Sequence, residues 1–222
     1  MDSQDTHSGS QRARWKQDPD GVRANILAVA LREFSEHGLS GARMDEIAAK
    51  TRTSKRMIYY YFGDKEGLYQ QVLEKAYGHV RDGEKELHLE DSTPVEALRQ
   101  LVEFTFEHHR RNPDFIRLVM IENIHNGHYL RKSELIRSLN QTAISRIEAI
   151  YNNGVDMGLF REGILPVAIH WQISALSFFN VSNRMTFSQL FGGEIFDENG
   201  QRELRRQVAD SVIRFVSKET DD

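Results

Sequence analysis

The apolar positions of the chain recur at spacings of three and four residues nearly everywhere, which is the period of an amphipathic α-helix. The first such segment extends from about Gly21 to His37. Its apolar stripe is formed by Ile26, Leu27, Ala30, Leu31 and Phe34. Segments that alternate apolar and polar residues, as strands do, are few, and the chain holds only 4 prolines. The pattern therefore predicts an all-α fold.

Capping residues and helix breakers indicate where the helices begin and end. Asp18 or Asp20 can cap the first helix, and Gly38 ends it in the usual role of a glycine past a helix end. The remaining predicted helices cover about 44–50, 54–62, 65–87, 94–111, 113–126, 133–152, 166–185 and 201–217. This gives about nine helices: a small N-terminal unit of three helices, followed by a larger C-terminal helical bundle. Residues 1–17 contain no apolar run and are expected to form a disordered tail.

Composition and charge narrow the possible functions. The absence of cysteine excludes disulfide scaffolds, thiolate-bound metals and a thiol nucleophile. No secretory signal and no run of about 20 apolar residues is present, so we expect a cytoplasmic protein with no membrane partner. The net charge of −4 conceals an asymmetry, because residues 1–78 carry 12 Lys/Arg and 11 Asp/Glu, whereas residues 79–222 carry 17 and 22. In the tail, Arg12, Arg14 and Lys16 can follow DNA as a flexible arm, or simply be solvated.

The second and third predicted helices are short and are joined by a tight turn, which is the pattern of a helix-turn-helix. In that motif the second helix presents its N-terminal side chains to base edges in the major groove of DNA. Short polar or basic residues are needed there, and Ser54, Lys55 and Arg56 supply them. The far end of the helix needs an anchor, which Ile58 and Phe62 can provide by packing inward. This stretch is the strongest functional signal in the chain.

Further side chains of this stretch are suited to phosphate contacts. The consecutive tyrosines 59–61 point in successive directions around the helix, so at least one faces outward and can donate its hydroxyl proton to a phosphate oxygen. Core packing is the alternative for one of the three. Lys65 and the amide groups at the start of the next helix can hold another phosphate. A solvated charged surface is the alternative for Lys55, Arg56 and Lys65.

Between Val22 and about Glu74 the chain carries an ordered set of residues that matches one DNA-binding signature. The set comprises Ala30, Phe34, Gly38, Ile47-Ala48, Ser54-Lys55, Ile58-Tyr59, Tyr61-Phe62, Lys65-Glu66 and Leu68. In these residues the chain resembles the TetR family of one-component transcriptional regulators. The C-terminal part is similar to the family only in length and helical layout. Arg52 departs from the family pattern, which has glycine in the turn, and Ala42-Arg43 stand where Thr or Ser often begins the first helix of the motif.

The resemblance implies a homodimer that represses transcription by binding a palindromic operator in double-stranded DNA, and that a small-molecule effector releases. Residues 18–66 would be the helix-turn-helix domain, and residues 67–222 the ligand-binding and dimerisation domain. Neither a cofactor nor an enzymatic activity is expected. The residues that the family pattern assigns to the base groove are Lys55, Arg56, Met57 and Tyr60. Those that it assigns to phosphates are Arg43, Ser54, Tyr59, Tyr61 and Lys65.

The predicted C-terminal bundle must then supply the effector site and the dimer interface. A pocket is expected between its middle helices, where the candidate residues are Phe104, His108, Phe115, Val119, Glu122, Asn123, Tyr151 and Phe178. The last two predicted helices are apolar on more than one face, as helices at an interface are. The interface candidates are Trp171, Leu176, Phe179, Val208, Val212 and Phe215. Core packing within one chain is the alternative for both sets.

A metal site and two alternative functions, a hydrolase and a helical adaptor, are also compatible with some of the residues. Glu122, His125 and His128 recur every third residue and could bind a metal such as zinc, although Gly127 favours fraying of the helix there. A hydrolase would need a nucleophile with a base, but no nucleophile elbow or glycine-rich phosphate loop is present. A plain helical adaptor would use the tyrosine-rich helix for protein contacts.

Overall fold

A computed structural model describes residues 18–218, over which the chain forms α-helices and short 3₁₀ helices and no β-strand. The helices are α1 (Pro19–Gly41), α2 (Met44–Thr51), α3 (Lys55–Phe62), α4 (Lys65–Lys85), α5 (Pro94–Arg111), α6 (Pro113–Ile124), α7 (Glu134–Asp156), α8 (Pro166–Ser182), α9 (Arg184–Phe191) and α10 (Glu198–Val216), with 3₁₀ helices at Leu89–Asp91, Leu130–Lys132 and Glu194–Phe196. The all-α prediction is confirmed. The predicted tail, with its three basic residues, lies outside the described residues.

Local sequence signals account for most of the boundaries. The Asp18 carboxylate accepts a hydrogen bond from the Gly21 amide at 2.8 Å and so caps α1. Gly38 has φ 67° and ψ 178°, a conformation that interrupts α1 near its end and that glycine adopts readily. Thr93 and Glu96 form the expected reciprocal capping box at the start of α5. One helix was missed, because the predicted helix 166–185 ends at Ser182 and α9 follows it.

The chain divides into two compact units, and the division falls after Lys75, inside α4. Sequence patterns had placed it after residue 66. The first unit extends further because the first half of α4 contributes to its core, where the rings of Phe34 and Tyr69 pack edge to face with centroids 5.1 Å apart. The other fully buried side chains of this core include Ile26, Ile47, Ile58, Leu68 and Leu73. This core supports the helix-turn-helix segment.

The second unit is a helical bundle in which α5 packs against both α8 and α10. Its core cluster includes Leu98, Val102, Phe106, Ile147, Ile169, Ile173, Val208, Ala209 and Val212. The Tyr151 hydroxyl closes the loop before α8, since it donates to the Arg161 carbonyl at 2.7 Å and accepts from the Ile164 amide at 3.0 Å. Within residues 18–218, no helix has the length and apolar character that crossing a membrane requires.

Candidate nucleic-acid interface

The turn between α2 and α3 is held by backbone hydrogen bonds that close over the end of α2. The amides of Arg52 and Thr53 donate to the carbonyls of Ala49 and Ala48, at 3.1 Å and 2.9 Å. Arg52 lies in the left-handed region, with φ 53° and ψ 37°, where the family pattern has glycine. An L-residue pays for this conformation with about 1–2 kcal/mol of strain. The structure therefore keeps the glycine-type turn and fits arginine into it.

The start of α2 has no side-chain cap, because Arg43 occupies the capping position. A buried carboxylate of α1 takes over part of that role. Glu33 is 2% exposed and accepts hydrogen bonds from the Lys50 ammonium at 2.9 Å and from the Arg43 amide at 3.2 Å. Burial raises the pKa of Glu33, but these two donors outweigh it and hold the pKa below its ordinary value. This contact fixes α2 against α1.

Helix α3 has one buried and one exposed side. Ser54 caps it by accepting a hydrogen bond from the Met57 amide at 3.3 Å. Ile58 and Phe62 are buried, which confirms the predicted anchor. Tyr60 is 78% exposed, so the prediction that at least one tyrosine faces solvent is also confirmed. The exposed side begins at the N-terminus of α3, where a helix-turn-helix protein reads DNA.

The other two tyrosines differ in their environment. Tyr59 is 41% exposed and leaves its ring accessible. Tyr61 is half-buried, and its ring lies between those of Tyr60 and Phe62, with centroid separations of 5.5 Å and 6.1 Å. Tyr61 is therefore the member of the three that packs inward in part.

The basic side chains of the first unit are not equally available. Arg43 and Arg56 are exposed, and their guanidinium groups have no ion pair or hydrogen bond among the described residues. Lys55 is exposed but lies 2.5 Å from a carboxylate oxygen of Asp45 on α2. Lys65 is half-buried and donates to the Ser40 carbonyl at 3.3 Å. Among the described residues, Arg43 and Arg56 are thus available for an anion, whereas Lys55 is paired with the Asp45 carboxylate.

One of the backbone amides at the start of α4 already has a hydrogen-bond partner within the chain. The Asp64 carboxylate accepts a hydrogen bond from the Gly67 amide at 2.7 Å. The sequence had suggested that amides at this helix start would hold a phosphate together with Lys65. One of those amides is taken, so a phosphate contact here rests on the remaining amides and on the lysine.

The second unit brings together part of the predicted effector site. His108 is buried between two aromatic rings, with ring centroids 5.8 Å from Phe104 and 6.0 Å from Phe115. Its Nε2 atom lies 3.2 Å from Nδ1 of His79. Burial lowers the pKa of His108 to about 4 and that of the adjacent His109 to about 3, so both rings are neutral near pH 7. The Nδ1 atoms of these two rings have no hydrogen-bond partner within residues 18–218.

The remaining members of that set have other environments. Glu122 is buried, and its carboxylate accepts hydrogen bonds from the amides of Tyr129 and Leu130 at 3.1 Å each. Tyr151 closes the loop described above. Asn123 is exposed and donates to the Val119 carbonyl, and Val119 and Phe178 are half-buried. Glu122 and Tyr151 are thus committed to structural hydrogen bonds. No group of His, Asp and Glu side chains that could hold a metal is found in the part of the chain that the structure describes.

An open groove of the second unit lies elsewhere, between α4, the 3₁₀ helix Leu130–Lys132 and α7. Its volume is about 870 Å³, within the range of small-molecule sites. It is lined by Tyr77, Leu130, Arg131, Ile136, Arg137, Asn140, Gln141, Ile144 and Ser145. None of these belongs to the predicted set. Sequence patterns predict helices over 113–126 and 133–152, and nothing in the connection between them signals that it forms a wall of a groove.

The predicted dimer surface is partly corrected. Trp171 and Phe179 on α8 are 66% and 52% exposed, and Leu176 is also exposed. Val208 and Val212 are wrong as interface residues, because both are buried in the core of a single chain, where α10 packs on α5. The remaining interface candidate, Phe215, is half-buried against the same core, and the Arg161 guanidinium lies 5.1 Å from the centroid of its ring. The missed helix α9 adds exposed apolar side chains at Met185, Leu190 and Phe191.

A helix-turn-helix with an exposed basic helix start, carried on a chain whose second unit is a separate helical bundle, defines a DNA-binding regulator. Comparison with known proteins gives the family. Residues 26–72 match the family described as "Bacterial regulatory proteins, tetR family", and residues 94–212 match "Tetracyclin repressor-like, C-terminal domain". The chain belongs to the TetR family of transcriptional regulators.

Individual relatives agree with this assignment. The chain is 35% identical over 202 residues to the HTH-type transcriptional repressor NicS of Pseudomonas putida, which covers 91% of this chain and 95% of that protein. It is 28% identical over 198 residues to the HTH-type transcriptional repressor SCO4008 of Streptomyces coelicolor, covering 88% and 97%. A solved TetR-family regulatory protein from Rhodococcus RHA1 shares the fold with a TM-score of 0.70 at 18% identity, covering 90% of this chain and 98% of that one.

Proposed function

We propose that the protein is a repressor that binds a palindromic operator as a homodimer in the cytoplasm and is released from DNA by a small-molecule effector. The observation that carries the proposal is the exposed N-terminal side of α3, which is anchored by buried Ile58 and Phe62 and bears Arg56 and Tyr60. The relatives named as repressors support the sign of the regulation.

In this proposal the residues of α3 divide into two groups by their contacts with DNA. Side chains at the start of the helix read base edges in the major groove; they are Lys55, Arg56, Met57 and Tyr60. Polar and basic groups around them bind phosphates and set the register of the protein on the duplex; they are Arg43, Ser54, Tyr59, Tyr61 and Lys65. Arg56 and Arg43 are the clearest members of the two groups, because each has an unpaired exposed guanidinium.

The proposed contacts are tested by measuring affinity for an operator obtained by selection from genomic fragments, as a function of salt. We expect Arg56→Gln to lose about 1–3 kcal/mol of binding free energy and to relax the preference for one base pair. Arg43→Gln should weaken binding to all sequences alike and reduce the salt slope by about 1. Arg202→Gln, at an exposed position of α10, is the matched control and should change neither. Failure to recover any preferred sequence from the selection would contradict the proposal.

The proposed dimer uses the exposed apolar positions of α8, with Trp171 and Phe179 at its centre and α9 beside it. Apolar side chains of this size are rarely left together on the surface of a monomer. Replacing Trp171 or Phe179 by Glu should convert the dimer into a monomer in analytical ultracentrifugation and abolish binding to the palindrome. Ile124→Glu is the control, because Ile124 is 75% exposed at the end of α6 and is not one of the proposed interface residues. A wild-type chain that sediments as a monomer at micromolar concentration would refute this part of the proposal.

A further inference from the structure

The groove between α4, the 3₁₀ helix Leu130–Lys132 and α7 differs in charge from the unit that contains it. Residues 79–222 hold 17 Lys/Arg and 22 Asp/Glu, so this part of the chain is acidic. Among the residues that the structure describes, the groove lining includes two arginines, Arg131 and Arg137, and no carboxylate. The described lining of the groove is therefore cationic, although the unit as a whole is acidic.

Three carboxylates on the helices that carry or adjoin this lining are already engaged. Glu134 forms an ion pair with Arg137, with N–O distances of 2.7 Å and 2.9 Å. Glu122 accepts hydrogen bonds from two consecutive backbone amides at the start of the 3₁₀ helix. Glu84 is buried in an ion pair with Arg81. Each of these three carboxylates therefore already has an arginine or backbone amides as its partner.

Arg131 is the cation that remains. It is exposed at the edge of the groove, and its guanidinium has neither an ion pair nor a hydrogen bond with any residue from 18 to 218. A guanidinium presents a planar fork of donors that matches both oxygens of a carboxylate. The Glu134–Arg137 pair is solvent-exposed and therefore weak, so Arg137 can turn to a second anion at little cost.

Uncharged donors lie deeper in the same groove. The Tyr77 hydroxyl has no hydrogen-bond partner among the described residues, and burial raises the pKa of Tyr77 to about 12, so it keeps its proton. Asn140 connects the groove with the buried ion pair, because its Oδ1 atom accepts a hydrogen bond from Arg81 at 3.3 Å. A ligand that displaces the Asn140 side chain would meet a guanidinium on α4, the helix that continues from the DNA-binding unit.

The rest of the lining is apolar. Leu130, Ile136 and Ile144 form its aliphatic part, and the ring of Tyr77 packs edge to face on Phe115 with centroids 5.2 Å apart. An apolar wall with a few placed polar groups favours a ligand that has an apolar body and one polar end. The volume of about 870 Å³ admits a molecule of one or two fused rings or a medium-length acyl chain.

We infer that the effector of the proposed regulator is a small organic carboxylate with an apolar body, bound in this groove with its carboxylate on Arg131 and Arg137. The regulatory role of this ligand rests on the proposed function, whereas its binding depends only on the second unit. The aliphatic wall of α7 holds the apolar body, and the Tyr77 hydroxyl donates a hydrogen bond to any further polar atom.

The test compares two probes that share one ring system, one of them anionic and the other neutral. 2-Naphthoate and its neutral amide, 2-naphthamide, are titrated into the full-length protein without DNA, and binding is measured by calorimetry. We expect the carboxylate to bind at least about tenfold more tightly than the amide, with an affinity that falls as salt rises. Equal affinities, or no binding of either probe up to about 1 mM, would overturn the inference.

Variants locate the binding. Arg131→Gln should reduce the preference for the carboxylate to near unity, while Arg202→Gln, an exposed arginine of α10, should leave it unchanged. Ser145→Trp should fill the groove and weaken both probes, with folding checked by circular dichroism and thermal unfolding. A naphthoate affinity that survives both Arg131→Gln and Ser145→Trp would place the binding elsewhere and refute the assignment.

A separate measurement tells failure of this inference from failure of the proposed function. Binding of the unliganded protein to its selected operator tests the regulator alone. Release of that operator by 2-naphthoate, and not by 2-naphthamide, tests the coupling. Specific DNA binding without charge-selective binding of naphthoate would refute the carboxylate effector but not the proposed regulator. Charge-selective binding of naphthoate without specific DNA binding would refute the proposed regulator.

Discussion

The left-handed conformation of Arg52 offers a sharp test of the helix-turn-helix geometry. An L-residue at φ 53° carries about 1–2 kcal/mol of strain that glycine does not. Glycine, however, lowers the folding stability by about 0.4–1 kcal/mol relative to another residue, because it raises the entropy of the unfolded chain. The difference predicts that Arg52→Gly stabilises the first unit by about 1 kcal/mol.

Two matched variants separate the backbone from the charge at this position. Arg52→Ala removes the guanidinium but keeps the strain, so it should give none of the gain. Arg52→Asn should recover part of it, because asparagine tolerates the left-handed region. If Arg52 also contacts a phosphate, all three variants should lower the salt slope of operator binding by about 1, whatever their effect on stability.

Urea unfolding followed by circular dichroism gives the change in free energy, and hydrogen exchange of peptides that cover 44–62 shows whether the change lies in the motif. An Arg52→Gly variant that is no more stable than Arg52→Ala would refute the reasoning, since the two differ chiefly in the cost of the left-handed turn. A gain confined to residues outside 44–62 would contradict it as well.

Three further predictions concern the second unit. Burial lowers the pKa of His109 to about 3 in the folded chain, whereas the ordinary histidine pKa is 6.5. As pH falls below 6.5 the unfolded chain therefore takes up a proton that the folded chain does not, and stability is lost. His109→Leu should make the loss of stability between about pH 7 and pH 5 smaller in urea unfolding, and an unchanged loss would argue against this prediction. Tyr151→Phe leaves the buried Ile164 amide without its acceptor and should cost about 1–3 kcal/mol, whereas a neutral result would mean that the hydroxyl is dispensable. Gly154→Ala should cost about 1–3 kcal/mol, because the added methyl group would overlap the Phe160 ring; a thermal midpoint equal to wild type would show that the ring can move.

Local signals predicted the fold well because helices are specified locally. The caps at Ser54 and Thr93 and the break at Gly38 come from side-chain chemistry within three or four residues, and the structure has each of them. The break between α8 and α9 was missed, because Asn183 separates two apolar segments without a proline or glycine to mark the change. Helical periodicity runs through such a junction.

The functional surface was predictable only where it depends on one helix. The buried anchors and the outward tyrosine of α3 follow from the period of a single helix, so Ile58, Phe62 and Tyr60 were predicted correctly. Val208 and Val212 were not, because an apolar residue looks the same in a sequence whether it packs on its own chain or on a partner. The groove beside Arg131 depends on the meeting of Tyr77 on α4 with the segment 130–145, which lies far along the chain, and no local pattern encodes that meeting.

The ion pair between Lys55 and Asp45 bears on how the protein would search a genome. In the free protein the carboxylate occupies the place that a phosphate or base acceptor would take on DNA. Contact of Lys55 with DNA is then an exchange of one anion for another, so it releases fewer ions in total than contact by a free lysine. Random sequence, which offers only phosphates, would gain little from this residue. A site that supplies a well-placed base acceptor would gain more, and the competing carboxylate would thereby widen the gap between the right sequence and all others.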